Sequence, residues 1–83
     1  MMTITVKYYL NVEKIIGKKL DKFVLKEPQT LKDILKQNLK KQNLEQLANC
    51  SLIITKNGES CDDLEVIVSD KDVFCLCPAI YGG

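Results

Sequence analysis

The sequence predicts an α+β domain in which a mixed sheet of four to five strands carries one main helix on one face. Three observations predict it. Strand-like alternation occurs at both ends of the chain, one long helical apolar pattern lies between them, and an Asn57-Gly58 pair marks a hairpin in the second half. With 83 residues there is room for one domain and not two.

The elements follow in order. Thr3–Leu10 alternates, with Ile4, Val6 and Tyr8 against Thr5, Lys7 and Tyr9, which reads as a strand with one buried face. Asn11 is expected to cap a short helical turn over Val12–Ile16, ended by Gly17. Leu20–Lys26 is a second strand whose buried face holds Phe23 and Leu25, and Pro28 closes it. Thr30 then starts a helix, with Thr30-x-x-Asp33 as a capping box. Leu31, Ile34, Leu35 and Leu39 recur at helical spacing opposite Lys32, Lys36 and Lys40, so the helix should run to about Lys41, with Leu44 and Leu47 on a further turn. Ser51–Lys56 is a third strand. Asn57-Gly58 turns it into a short return strand at Glu59–Cys61, since a type I′ turn needs positive φ at both central residues. Leu64–Val68 is expected as another short element, Ser69–Asp72 as a turn and Val73–Cys77 as the last strand, with Pro78 stopping its ladder.

Composition narrows the function. A hydrophobic share of 46% with 28% charged residues is an ordinary globular balance. The net charge of +1 gives no support for nucleic-acid binding. Lysines concentrate in residues 1–42 and acids in 43–83, a split that can orient partner docking, though Lys32, Lys36 and Lys40 also suit a wet helix face. No signal peptide or membrane-spanning run is visible, so the expected location is cytoplasmic, with no membrane partner. In that compartment Cys50, Cys61, Cys75 and Cys77 should be reduced thiols. No metal site is expected, because His is absent and Cys75-x-Cys77 is not a zinc-knuckle spacing. No nucleophile–base pair stands out, so catalysis by this chain alone is not expected.

The last residues carry the chemistry. Residues 1–78 read as the folded domain and 79–83 as a flexible tail, Ala79-Ile80-Tyr81-Gly82-Gly83. Five extended residues reach at most about 17 Å. Glycine adds no side chain that would block a narrow tunnel, so a Gly-Gly end suits a carboxylate that must enter an enclosed site. The main chain there can pair with tunnel walls as an added strand, while Ile80 and Tyr81 anchor in apolar pockets.

The segment Asp72-Val73-Phe74-Cys75-Leu76-Cys77-Pro78-Ala79-Ile80-Tyr81-Gly82-Gly83 resembles the ending of the ubiquitin-like sulfur carriers. That family includes the molybdopterin synthase small subunit and the thiamine-pathway carrier. The front, Val6–Leu10 followed by Val12–Gly17, is similar to the molybdopterin branch, and Asn57-Gly58 sits at the family's central hairpin. Four positions depart: Lys71 where the family usually has Gly, Ala79 for a second Pro, Cys77 for a large apolar residue, and Tyr81 for a small one.

The resemblance implies a ubiquitin-like β-grasp fold and a sulfur carrier that binds no cofactor. An adenylating enzyme of the ubiquitin-activating type would use ATP to activate the Gly83 carboxylate. A sulfur donor enzyme would then convert it to a thiocarboxylate. The carrier would next dock through Pro78, Cys77 and Cys75 on the molybdopterin synthase large subunit, in a heterotetramer with two copies of each. Gly82, Tyr81, Ile80 and Ala79 would thread into the partner's active site. Rival readings are a carrier for thiamine, cysteine or tRNA thiolation, and a protein modifier that joins Gly83 to lysines. Cys75 and Cys77 share one face of the last strand and Phe74 and Leu76 the other. Apolar contact is the expected role of these cysteines, against a sulfur relay that would need an electropositive setting.

Overall fold

Among the residues that the computed structural model describes, 1–61 and 63–79, eight elements follow one another. They are β1 (Met2–Tyr8), α1 (Asn11–Ile16), β2 (Leu20–Leu25), α2 (Leu31–Asn38), α3 (Lys41–Ala48), β3 (Leu52–Lys56), β4 (Glu59–Cys61) and β5 (Val73–Pro78). The strands form one sheet in the order β2-β1-β5-β3-β4. At its centre β1 and β5 run parallel, and the other pairs are antiparallel. A mixed sheet carrying its helices on one face is the ubiquitin-like β-grasp arrangement, as the sequence predicts.

The alternation read in the sequence decides which face is covered. Ile4, Val6 and Tyr8 of β1, Phe74 and Leu76 of β5, Ile54 of β3 and Leu25 of β2 are all buried in one cluster. The helices bring Val12, Leu31, Ile34, Leu35 and Leu47 down onto them. Each such side chain removed from water contributes roughly 1.5–3 kcal/mol. Tyr8 is buried with its polar end satisfied, since its hydroxyl donates to Asp21 Oδ2 at 2.8 Å. Asp21 in turn meets the Lys18 ammonium at 2.7 Å. Burial first, and that carboxylate second, push the Tyr8 phenol far above its ordinary value.

The hairpin is the one expected. Asn57 and Gly58 have φ of 52° and 88°, the positive pair a type I′ turn demands, and β3 and β4 pair on either side. Thr30 caps α2, its hydroxyl accepting from the Asp33 N–H at 3.1 Å.

The single helix expected to about Lys41 is instead two helices of 8 residues each. Leu39 and Lys40 between them are extended, with ψ of 155° and 145°. At the break the Asn38 Nδ2 donates to the Ile34 carbonyl at 2.7 Å, and the Leu39 N–H closes the last turn on the Leu35 carbonyl at 2.8 Å before the backbone becomes extended. Leu44 and Leu47 therefore lie on α3 and approach the core from a second direction. Asn11 is not the cap of α1 but its first residue. Leu10 takes the cap position at φ 53°, ψ −124°, and no side chain caps the helix. Leu64–Val68 is not a strand either, apart from one isolated bridge between Ile67 and Thr30. Its carbonyls serve the start of α2, where the N–H groups of Leu31 and Lys32 donate to Val66 and Leu64 at 2.9 Å each.

Pro78 does not stop the ladder. It pairs with Leu52, and the Ala79 N–H donates to the Ser51 carbonyl at 2.8 Å. The Val73 carbonyl and the Ala79 N–H face β3, whereas the Leu76 carbonyl accepts from Tyr9 on the β1 side. Pro78 shares the parity of Leu76, so its missing N–H falls on the side that β1 has already left. No helix of the described residues is long and apolar enough to cross a membrane.

Candidate functional site

The site lies on the outward face of β5 and at that strand's two ends. Phe74 and Leu76 are fully buried, so period-2 alternation sends Val73, Cys75 and Cys77 to the face away from the helices, where they are half-buried. The register then names their neighbours. Cys75 lies between Lys7 and Thr55, and Cys77 lies opposite Ile53. Ile53 is 49% exposed and Tyr9 43% exposed, large apolar surface for so small a chain. The Tyr9 N–H donates to the Leu76 carbonyl at 3.0 Å, which holds the ring beside β5, and its hydroxyl is 4.0 Å from the Cys75 sulfur. That contact with Cys75 pushes the Tyr9 phenol above its ordinary value.

Of the expected docking residues, Cys75 and Cys77 thus share one outward face, flanked by Lys7 and Thr55 and joined by Tyr9 and Ile53, whose part sequence reasoning missed. The signal was available: Tyr9 has the parity opposite Ile4, Val6 and Tyr8. Pro78 has the parity of Leu76 and is half-buried. Ala79, placed in the tail by the sequence, is joined to the sheet through Ser51. Ile80, Tyr81, Gly82 and Gly83 lie outside the described residues.

The start of β5 is held by a polar hub. Asp72 is only 6% exposed, and one of its oxygens accepts from Asn57 Nδ2 at 2.9 Å. The other accepts from the Ser69 N–H at 2.7 Å and lies 3.6 Å from the Lys56 ammonium. Burial works against its charge, but the bonds from Asn57 and Ser69 and the nearby Lys56 outweigh it, and the carboxyl stays below its ordinary value of 3.8. Asn57 closes the hub from the hairpin side, its Oδ1 accepting from the Val73 N–H at 2.8 Å. Beside it Lys71 sits at φ 70°, a conformation that suits glycine, and donates its N–H to the Thr3 carbonyl at 2.7 Å. Lys71 therefore occupies the position where the resembled family usually has Gly, in the backbone conformation that glycine would serve.

This arrangement defines a class: a ubiquitin-like β-grasp protein whose last strand is pinned at its start, apolar on its outward face, and leads directly into the C-terminal residues. No family model matches the sequence, and no curated protein matches it significantly. Solved structures do. A candidate molybdopterin converting factor subunit 1 from Pyrococcus furiosus superposes with a TM-score of 0.72 at 18% identity, over 96% of this chain and 100% of that one. Small archaeal modifier protein 1 from Haloferax volcanii gives 0.72 at 15% identity, over 96% and 100%. A complex of subunits 1 and 2 of the molybdopterin-converting factor from Helicobacter pylori gives 0.65 at 25% identity, over 99% and 100%. These neighbours support the resemblance to the ubiquitin-like sulfur carriers drawn from the sequence.

Proposed function

We propose that this chain is a sulfur carrier whose reacting group is the Gly83 carboxylate, and that it acts as the small subunit of a molybdopterin synthase. The observation that carries the reading is positional. Among the described residues the sheet's last hydrogen bond, from Ala79 to Ser51, lies four residues before Gly83, just past the strand whose outward face holds Cys75 and Cys77. A partner that grips this face has the Gly-Gly segment within reach of its own active site, since four residues span at most about 14 Å.

The chemistry divides between chains. An adenylating partner joins the Gly83 carboxylate oxygen to the α-phosphorus of ATP and releases pyrophosphate. The terminal sulfur of a donor enzyme's persulfide attacks the acyl carbon and expels AMP, and a thiol then attacks the inner sulfur of the resulting acyl disulfide, forming a disulfide and releasing the thiocarboxylate. In a large-subunit partner the thiocarboxylate sulfur bonds to a carbon of the pterin precursor, and water then breaks the Gly83 carbonyl–sulfur bond, leaving the sulfur on the pterin for its dithiolene and returning the carboxylate. The H. pylori structure is a complex of subunits 1 and 2, which supports a partner of that kind. This chain contributes the fold that presents the tail and the face that docks. Threading falls to Gly82, Tyr81 and Ile80. The reading places all of these steps in the cytoplasm.

The test is reconstitution. The protein bearing a Gly83 thiocarboxylate, mixed with the large subunit and the pterin precursor, should yield molybdopterin, while the plain carboxylate should not. Equal product from both forms would refute the carrier role.

A second reading is a protein modifier that joins Gly83 to lysine amines. It is favoured by the likeness to small archaeal modifier protein 1, which equals in TM-score the likeness to the Pyrococcus protein. Adenylated protein incubated with cell extract should then give isopeptide-linked conjugates by mass spectrometry. A thiocarboxylate without conjugates speaks for the carrier.

A further inference from the structure

On the helix side of the molecule, away from the outward sheet face, a groove of about 310 Å³ runs between α2 and α3. Leu35, Leu44, Leu47, Leu52 and Leu64 form its walls, which are almost wholly apolar. Leu35 and Leu47 are buried, while Leu44, Leu52 and Leu64 are half-buried around the opening. The groove follows from the broken helix. Extended Leu39 and Lys40 set α3 at its own angle to α2, so the two leucine faces do not close on each other.

Charge at the mouth has one prevailing sign. Lys32 and Lys36 of α2 and Lys41 of α3 stand on the two banks, against Glu45 alone among the lining acids. Lys32 is met by Glu65 at 3.3 Å, whereas among the described residues Lys36 and Lys41 make no ion pair. An apolar floor with ammonium groups on both banks complements a ligand with an apolar body and one anionic head. The volume lies at the lower end of small-ligand pockets, enough for a chain of about ten carbons.

We infer that this groove binds a free medium-chain carboxylic acid, with the alkyl chain along the leucines and the carboxylate between Lys36 and Lys41. The site is separate from the sulfur-carrier reading, because it shares no residue with the outward face of β5.

Decanoate is the probe, followed by methyl NMR of the full chain, with decanol as the uncharged control. Decanoate should shift the methyls of Leu44, Leu47 and Leu64 saturably, with a dissociation constant at or below about 1 mM. Replacing both exposed lysines, Lys36→Gln and Lys41→Gln, should weaken decanoate about fivefold and leave decanol unchanged. Ala48→Phe, at an exposed position on the rim, should fill the groove and abolish both. The inference is overturned by equal affinity for decanoate and decanol, by shifts centred on the sheet face, or by no saturation below about 10 mM. An acidic leucine-rich peptide that binds where decanoate does not also overturns it, and reassigns the groove to a protein segment.

Discussion

The two ends of β5 are held in different ways. At its start, Asn57, Ser69 and Lys56 converge on the buried Asp72 carboxylate, and Lys71 and Asp70 tie the turn back to Thr3. At its end the ladder runs out through Pro78, and a single backbone bond joins Ala79 to Ser51. The difference teaches a division of labour within six residues. Polar anchoring concentrates where the strand enters, and on the proposed function presentation of the C-terminal residues falls to where it leaves. The hub stands at the opposite end of the strand from the tail, so it can be weakened without touching the chemistry proposed there.

The largest expected effect comes from the exit end. One residue added after Gly83 should cut thiocarboxylate formation to background, as judged by intact mass, while the urea midpoint stays that of the parent. Gly82→Val should do the same to adenylation, measured by pyrophosphate exchange, because a β-branched side chain obstructs a narrow entry. A tail-extended protein that still carries sulfur would end the comparison at once.

The next effect belongs to the entry end. Asp72→Asn removes the charge that Ser69 and Lys56 address, and should cost about 2 kcal/mol in urea unfolding at pH 7. The pH dependence has a definite sign. The Asp72 carboxyl lies below its ordinary 3.8 in the folded state, so the unfolded chain takes up its proton first as pH falls. The stabilisation is therefore fully present above about pH 5 and is lost as pH falls through 3.8 toward the folded value. Asp72→Asn should flatten that acid limb, whereas an unchanged limb would assign it to other carboxylates.

Smaller changes sharpen the contrast. Lys71→Gly should raise stability by about 1 kcal/mol, because glycine enters the left-handed region without the penalty that a β-carbon brings. A destabilised variant would show instead that the Lys71 side chain contributes. Pro78→Ala should lower stability by about 0.5 kcal/mol, an effect on the unfolded chain, since no ladder bond is gained or lost. A loss as large as that of Asp72→Asn would mean that the two ends are equally anchored.

What the sequence made legible is local. The alternation of Ile4, Val6 and Tyr8, the parity of Phe74 and Leu76, the Thr30 cap and the Asn57-Gly58 turn each depend on neighbours a few residues away, and each stands in the structure. The helix break escaped because the leucine pattern continues across it, while the extended backbone of Leu39 and Lys40 leaves no trace in periodicity. The hub escaped because Asn57 and Asp72 are 15 residues apart and meet only through β3 and β5. Pro78 was misjudged for want of the register, which alone tells toward which neighbour its missing N–H would have pointed. Of the candidate site, the face shared by Cys75 and Cys77 was legible from parity, and the contribution of Tyr9 and Ile53 needed the strand order.

The parallel pairing at the sheet's centre has a consequence for how the chain comes to be folded. Thr5 lies beside Val73, and Thr3 bonds Asp70, 67 residues away in sequence. Such a contact closes a loop of most of the chain before any return, which slows folding relative to a protein built from local pairs. During synthesis β1 waits with one edge open until β5 emerges, and β5 is followed at once by the proposed working residues. A chain cut before β5 leaves β1 and β3 without the strand that joins them, because β5 lies between the two in the sheet.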